Sequence, residues 1–97
     1  MDPNMKSMPT RLIPSPDALA RELNGEILLL DLRSSHYFGL TGTGARIWQL
    51  IEAGHAPESA AAMLAREFDG DAAAIKEDVA AFVDDLVQRG LLVAEGA

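Results

Sequence analysis

The chain has 97 residues, of which 48% are hydrophobic and 24% charged, and its formal net charge is −7. This length predicts one small domain with a modest core, and the absence of cysteine excludes disulfides and thiolate metal sites. The amino-terminal residues lack the apolar segment of a signal peptide, and no run approaches the roughly 20 apolar residues that cross a bilayer. We therefore expect a soluble cytoplasmic protein that makes no contact with membranes.

The negative charge is concentrated in the carboxy-terminal third of the chain. Residues 71–97 contain six acidic and two basic side chains, a net charge of −4, whereas residues 1–25 are neutral overall. Nucleic-acid binding depends on Lys and Arg side chains that neutralise phosphates. The charge pattern therefore predicts no nucleic-acid partner and favours a basic or neutral one.

The amino-terminal quarter is rich in proline and turn-forming residues. We expect residues 1–9 to be a disordered tail and the folded domain to span residues 10–94. Thr10–Ile13, which lies between two prolines, is predicted to form a short edge strand. Pro16–Leu23 is predicted to form a helical turn or a loop, and the turn signal Asn24-Gly25 follows it.

Two apolar runs predict a β-hairpin in the middle of the chain. The runs are Ile27–Leu32 and Tyr37–Leu40, and the polar segment Arg33-Ser34-Ser35-His36 separates them. Both faces of the first run are mostly apolar, so we expect both faces to be at least partly covered.

The second strand of this hairpin has two unequal faces. Phe38 and Leu40 lie on one face, and Tyr37 and Gly39 lie on the other. The face that contains glycine carries little bulk, so it leaves room for another segment to lie against it.

Three helices are predicted from the apolar spacing and from the glycine and proline positions. The first ends near Glu52, the second spans Pro57–Phe68, and the third spans about Asp71–Arg89. A threonine of the Thr41–Gly44 segment is expected to cap the first helix, and Leu91–Val93 is expected to pack back as a short tail.

Apolar stripes on the first and third helices predict which residues face the core. Trp48 shares helical spacing with Ile47 and Ile51, so we interpret it as a core residue rather than as a binding platform. Phe82 lies in the middle of the apolar stripe of the third helix. Three roles are open for it: a core residue, the floor of a groove, or both. The stripe comprises Ile75, Val79, Phe82, Val83 and Leu86.

Three aspartates follow one border of the third helix. Asp71, Asp78 and Asp85 recur every seven residues, so they align beside the apolar stripe. One interpretation is a solvated flank of an ordinary surface helix. The other is an acidic rim beside an apolar groove, placed to meet Lys or Arg side chains of a bound peptide.

No catalytic constellation is present in the sequence. His36 and His55 lie in a predicted turn and a predicted loop, and neither has a second His or Cys at metal-ligand spacing. Asp84 and Asp85 are adjacent and so face different directions on a helix. The Thr41–Gly44 segment lacks the Lys of a phosphate-binding loop. We therefore predict that the protein is not an enzyme and holds neither a metal nor a cofactor.

Five short motifs, in this order and spacing, resemble the PqqD family of peptide-recognition proteins, and within it the stand-alone recognition proteins of lasso-peptide gene clusters. The motifs are Leu30-Asp31, Tyr37-Phe38-x-Leu40, Gly44-Ala45-Arg46-Ile47-Trp48, Asp78-Val79-x-x-Phe82 and Gly90-Leu91. The chain departs from the family at Thr41, where Asn is usual, and at Ser34-Ser35, where a glycine is common. It also lacks the Pro-Glu-Gly element of the pyrroloquinoline-quinone branch, which disfavours that pathway.

The resemblance implies an α+β fold like a winged helix-turn-helix, with a three-stranded antiparallel sheet followed by three helices. It also implies that the protein binds the leader segment of a ribosomally made precursor peptide. The leader adds as a strand to the third strand of the sheet, beside the third helix. The partners would then be the precursor leader and a modifying enzyme, with the leader protease and cyclase of a lasso-peptide pathway favoured.

We predict a peptide site on these two elements. The backbone of the third strand would pair with the leader, the stripe of the third helix would floor the groove, and two aspartates would form its rim. These residues are His36, Tyr37, Phe38, Gly39 and Leu40 on the strand, and Ile75, Asp78, Val79, Phe82 and Asp85 on the helix. A partner of a radical enzyme in another peptide pathway, a winged-helix DNA-binding protein and an adaptor protein remain the alternatives.

Overall fold

The computed structural model describes residues 11–94, so the predicted tail at residues 1–9 lies outside the described residues. Short strands, a hairpin sheet and three helices follow one another along the chain. The strands are β1 (Leu12–Pro14), β2 (Ala18–Leu23), β3 (Glu26–Asp31), β4 (His36–Leu40) and β5 (Leu92–Ala94), and the helices are α1 (Gly42–Glu52), α2 (Pro57–Phe68) and α3 (Ala72–Gln88).

The predicted fold class is confirmed. The strands β2, β3 and β4 form a three-stranded antiparallel sheet in that order, and the three helices follow it. A second, two-stranded sheet joins β1 to β5, with Leu12 opposite Ala94. The predicted tail after α3 is therefore a strand that closes the domain against its amino-terminal end.

The prediction of a helical turn or loop at Pro16–Leu23 is wrong. Ala18–Leu23 forms β2, an edge strand of the main sheet, and pairs with β3 from Ala18 opposite Asp31 to Leu23 opposite Glu26. Asn24 and Gly25 have φ angles of 53° and 83°, which is the two-residue turn that matches the twist of a hairpin. This turn and the pairing with β3 override the helical propensity of the segment.

The core lies between the inner face of the sheet and the helices. Ile27, Leu29 and Leu40 are buried on that face and belong to one apolar cluster with α1. Trp48 of α1 is only 1% exposed, so the prediction that it is a core residue is confirmed. Burial of these apolar side chains is the main contribution to the stability of the domain.

The outer face of the sheet is largely exposed within residues 11–94, and the partial cover expected on this face of β3 is limited to Leu30, which is half-buried, and part of Leu28. Leu28 of β3 is 42% exposed, Leu19 of β2 is 49% exposed, and Tyr37 of β4 is 69% exposed. These residues share a face because Leu28 lies opposite Gly39 and Leu19 lies opposite Leu30, which itself lies opposite Tyr37. We call Leu19, Leu23, Leu28, Leu30 and Tyr37 the outer sheet face.

Candidate peptide-binding site

The strand β4 forms one edge of the main sheet. Its residues His36–Leu40 pair with β3 on one side, and no strand of the described part of the chain pairs with the other side. An edge strand of this kind presents unpaired N–H and C=O groups that can accept a further strand. A Cβ atom built on Gly39 meets no atom within 4 Å, so the outer side of the strand is open at this residue.

A hydrogen-bonded turn fixes the start of β4. The Asp31 carboxylate accepts hydrogen bonds from the Arg33 backbone N–H at 3.0 Å and from the Ser34 hydroxyl at 3.0 Å. The Arg33 backbone hydrogen bond, helped by the Ser34 hydroxyl, lowers the pKa of Asp31 below its ordinary value. The Ser34 hydroxyl oxygen in turn accepts a hydrogen bond from the His36 backbone N–H at 3.3 Å. The Asp31 carboxylate thus acts as the anchor of this turn.

Two side chains, Phe82 of α3 and Arg89 at its carboxy-terminal cap, locate this helix relative to β4. The Phe82 ring lies 3.2 Å from a Cβ atom built on Gly44, just beyond the end of β4. The Arg89 guanidinium lies over the Phe38 ring, 5.1 Å from its centroid. Ile75, Asp78 and Asp85 occupy the same side of α3 by helical spacing. We call the space between His36–Leu40 and the α3 residues Ile75, Asp78, Phe82, Asp85 and Arg89 the β4–α3 groove.

Val79 is the one predicted site residue that the structure does not bring to this groove. Its side chain is 1% exposed and belongs to the core. It lines a separate cavity of about 490 Å³ between α2, α3 and the β1–β5 pair. The remaining predicted residues lie on β4 or on the side of α3 that faces it. Their contact with a peptide stays a prediction.

The three aspartates of α3 have different roles. Asp71 is the amino-terminal cap of the helix, and its carboxylate accepts a hydrogen bond from the Ala73 backbone N–H at 3.0 Å. Asp85 accepts a hydrogen bond from Arg89 Nε at 3.0 Å. Asp78 is exposed and has no polar partner within residues 11–94. Of the predicted acidic rim, only Asp78 is a free carboxylate at the groove.

Arg89 is a groove residue that was not predicted from the sequence. Its signal was the spacing of four residues from Asp85, which places the two side chains together on a helix. The contact with Phe38 brings together residues that are distant in sequence, and no local pattern predicts it.

Residues 11–94 contain no group of three or more His, Asp or Glu side chains that could hold a metal ion. No helix in this range is long and apolar enough to cross a membrane. The only buried side-chain polar atom without a partner among these residues is the indole nitrogen of Trp48, which lies in the core.

A protein-family model described as coenzyme PQQ synthesis protein D (PqqD) matches residues 26–92. The chain belongs to this family. The match begins at β3 and ends within β5, so it includes both walls of the β4–α3 groove. The resemblance inferred from the sequence motifs is therefore confirmed.

Two solved structures have the same fold as this PqqD-family chain. A structure of TbiB1 in complex with the TbiA(beta) leader peptide is 32% identical, with a TM-score of 0.79, and the match covers 87% of this chain and 95% of that one. A structure of lasso peptide synthetase B1 complexed with the leader peptide is 29% identical, also with a TM-score of 0.79, and the match covers 86% and 98% of the two chains. No curated protein matches the sequence.

Proposed function

We propose that this PqqD-family chain binds the leader segment of a ribosomally synthesised precursor peptide and presents it to a modifying enzyme. The leader adds as a strand to the free edge of β4 and lies in the β4–α3 groove. The observation that carries this proposal is the unpaired edge of His36–Leu40 beside α3. Support comes from two relatives of the same fold that are described as complexes with leader peptides.

Strand addition divides affinity and specificity between backbone and side chains. The main-chain hydrogen bonds to β4 form with almost any sequence, so they supply affinity. Alternate side chains of the leader point into the groove, where Phe82 and Phe38 are half-buried and able to contact them. These aromatic side chains are the anchors that we expect to discriminate between leaders.

The outer sheet face is the surface on which we place the modifying enzyme. Leu19, Leu28 and Tyr37 are exposed there, and a contiguous apolar surface of this kind is typical of a protein interface. A leader strand paired with β4 would extend the same sheet. An enzyme on the outer sheet face would then contact the leader's outward-pointing side chains as well as the leucines.

The pathway that fits best is lasso-peptide biosynthesis, with the leader protease and its cyclase as the enzymes served. The relative complexed with its leader is a lasso peptide synthetase B1, which supports this choice over a radical-enzyme pathway. A DNA-binding role is disfavoured because the net charge is −7 and α3 carries exposed acidic side chains. A recognition protein of this kind acts in the cytoplasm and needs no catalytic residue of its own.

Hydrogen–deuterium exchange tests the proposed site. The probes are the TbiA(beta) leader peptide and peptides selected on this chain from a random display library. We expect bound peptide to slow exchange at His36–Leu40, since new main-chain hydrogen bonds protect these amides. The matched control is the same peptide with N-methylated backbone amides at alternate positions, which cannot form the ladder. Two results would overturn the proposal: peptides that slow exchange only at the backbone amides lining the cavity between α2 and α3, or peptides whose binding is unchanged by N-methylation at every position.

A further inference from the structure

The two ends of the β4–α3 groove present different charged groups. At the carboxy-terminal end of α3, the Arg89 guanidinium covers Phe38, and the Arg33 guanidinium lies against Gly90. Toward the amino-terminal half of α3, the groove is bordered by the unpaired carboxylate of Asp78. Both guanidiniums are ion-paired, Arg89 with Asp85 and Arg33 with Asp31 and Asp17, so this end presents paired cations rather than a net positive charge.

Arg89 retains hydrogen-bonding capacity toward a ligand. Asp85 accepts from its Nε atom, and the terminal amino groups of the guanidinium have no hydrogen-bond partner within residues 11–94. The stack on Phe38 holds the guanidinium plane in place. A guanidinium held in this way presents a pair of donors that match the two oxygens of a carboxylate.

The spacing of the two charges can be expressed in leader residues. Asp78 and Arg89 are separated by about 16 Å along the helix axis, at 1.5 Å per residue. A strand rises about 3.3 Å per residue, so this distance corresponds to about four to six leader residues if both side chains face the groove. Because β4 ends at Leu40, two residues after Phe38, the leader residue beside Asp78 would lie past the paired segment, beyond the contact of Phe82 with Gly44.

We propose that the leader of this chain carries an acidic side chain beside Phe38 and a basic side chain about four to six residues away, beside Asp78, and that this charge order fixes the direction of the added strand. The inference rests on the proposed function. An edge strand can pair with a parallel or an antiparallel segment, and its main-chain groups do not choose strongly between them. A guanidinium with free donors at one end and an unpaired carboxylate at the other make one direction of the leader more favourable than the other.

The test is a set of parallel selections from one random-peptide display library. The targets are the wild-type chain, a charge-reversed double variant (Asp78→Lys with Arg89→Glu) and a control double variant (Asp84→Lys with Arg66→Glu). The control makes the same two charge changes at exposed positions away from the groove. Arg89→Gln is included as a milder variant, and circular dichroism checks that every variant is folded.

We expect wild-type binders to share one order of acidic and basic residues, and binders of the charge-reversed variant to share the opposite order. Peptides selected on Arg89→Gln should no longer share an acidic residue but should keep the basic one. Peptides selected on the control variant should show the same charge order as those selected on the wild type. Reversing both charges of the best wild-type peptide should weaken its binding by about tenfold at low salt, because each exposed ion pair contributes up to about fivefold. The ratio should shrink as salt rises.

The outcomes separate this inference from the proposed function. Binders that protect His36–Leu40 from exchange but show no charge order, or the same order on the wild-type and charge-reversed chains, overturn the inference and leave leader binding at β4 intact. Binders that leave His36–Leu40 unprotected overturn both. A reversed order on the charge-reversed variant supports both.

Discussion

The guanidinium carbon of Arg89 lies 5.1 Å from the centroid of the Phe38 ring, so the end of α3 is joined to the edge strand β4 by a cation–π contact. The two residues are held by different elements: Phe38 by pairing opposite Leu29 in β3, and Arg89 by its ion pair with Asp85. The contact therefore couples the sheet to the helix at the place where the proposed leader enters the groove.

A double-mutant cycle should detect this coupling. Phe38→Leu keeps an apolar side chain and removes the ring, and Arg89→Gln keeps a polar side chain and removes the charge. We expect an interaction energy of about 0.5–1 kcal/mol in the free energy of unfolding, as is usual for a partly exposed cation–π pair. The measurement is urea unfolding of the four proteins. Additive effects of the two substitutions would show that the contact contributes nothing to stability.

Gly90 is predicted to be intolerant of any side chain. Its φ angle of 77° is unfavourable for residues that have a side chain, and the flexible, exposed end of Arg33 would have to move away from a Cβ atom there. Gly90→Ala should therefore lower the free energy of unfolding by about 1–3 kcal/mol. Gly39→Ala is the matched control, because a Cβ at Gly39 meets open space. Equal stability of the two variants in thermal unfolding would contradict this account.

The sequence predicted the elements whose signals are local. The end of α1 at Glu52, the end of α3 near Arg89, the pairing of β3 with β4 and the burial of Trp48 followed from spacing and turn chemistry. It failed at Ala18–Leu23, where helix-forming residues adopt the strand that pairing with β3 demands. Strand pairing is a long-range property, and local propensity does not determine it.

The candidate site was predictable in outline and not in detail. The β4 edge and the side of α3 with Phe82 followed from the sequence and from the family resemblance. Val79 and Phe82 occupy the same stripe, so their separation into core and groove depends on where α2 packs. To predict Arg89 as a groove residue, one must know which strand lies beside the last turn of α3, and the sequence does not give this pairing.

The stability of the domain should fall in acid partly through the turn before β4. The hydrogen bonds from Arg33 and Ser34 hold the pKa of Asp31 below its ordinary value of 3.8. Their stabilising contribution is therefore complete above that value and is lost as the pH falls below it toward the folded-state pKa. Glu67, whose pKa is lowered from 4.5 by its hydrogen bond with Arg46, adds a loss of the same sign.

The measurement is the thermal unfolding midpoint between about pH 6 and pH 3. Asp31→Asn should be less stable than the wild type near neutral pH, and the difference between the two should narrow as the solution becomes acidic. Glu67→Gln serves as the comparison, because it removes the other lowered carboxyl and leaves the turn intact. A constant difference between Asp31→Asn and the wild type across this range would contradict the assignment.

Phe82 and Val79 form a matched pair that separates groove from core. Phe82→Ala removes a ring at the groove, so leader binding should weaken by about thirtyfold, the effect of losing a buried aromatic anchor. Val79→Ala removes buried methyl groups away from β4 and should lower stability by roughly 1–3 kcal/mol. The affinity of Val79→Ala for the leader should remain close to that of the wild type at temperatures where both are folded.

Isothermal titration with a selected peptide measures the affinity of both variants, and circular dichroism checks that they are folded. An equal loss of affinity in both variants would contradict this separation of Phe82, as a groove residue, from Val79, as a core residue.

Substitutions on the outer sheet face should uncouple enzyme activation from leader binding. Leu19→Thr and Leu28→Thr replace exposed leucines with a residue that favours strands, so the fold and the β4 edge should be preserved. If the modifying enzyme covers this face, the double variant should bind leader peptide with unchanged affinity and yet fail to stimulate cleavage of the precursor by the leader protease. The concentration of this chain needed for half-maximal cleavage should rise by on the order of tenfold or more, because apolar interface anchors typically contribute about 1–2 kcal/mol each.

Ala62→Ser, an exposed position on α2, is a control that should leave both properties unchanged. Full stimulation by the double variant would move the enzyme's docking surface elsewhere, and a parallel loss of leader affinity would show that the outer sheet face supports the groove instead of the enzyme.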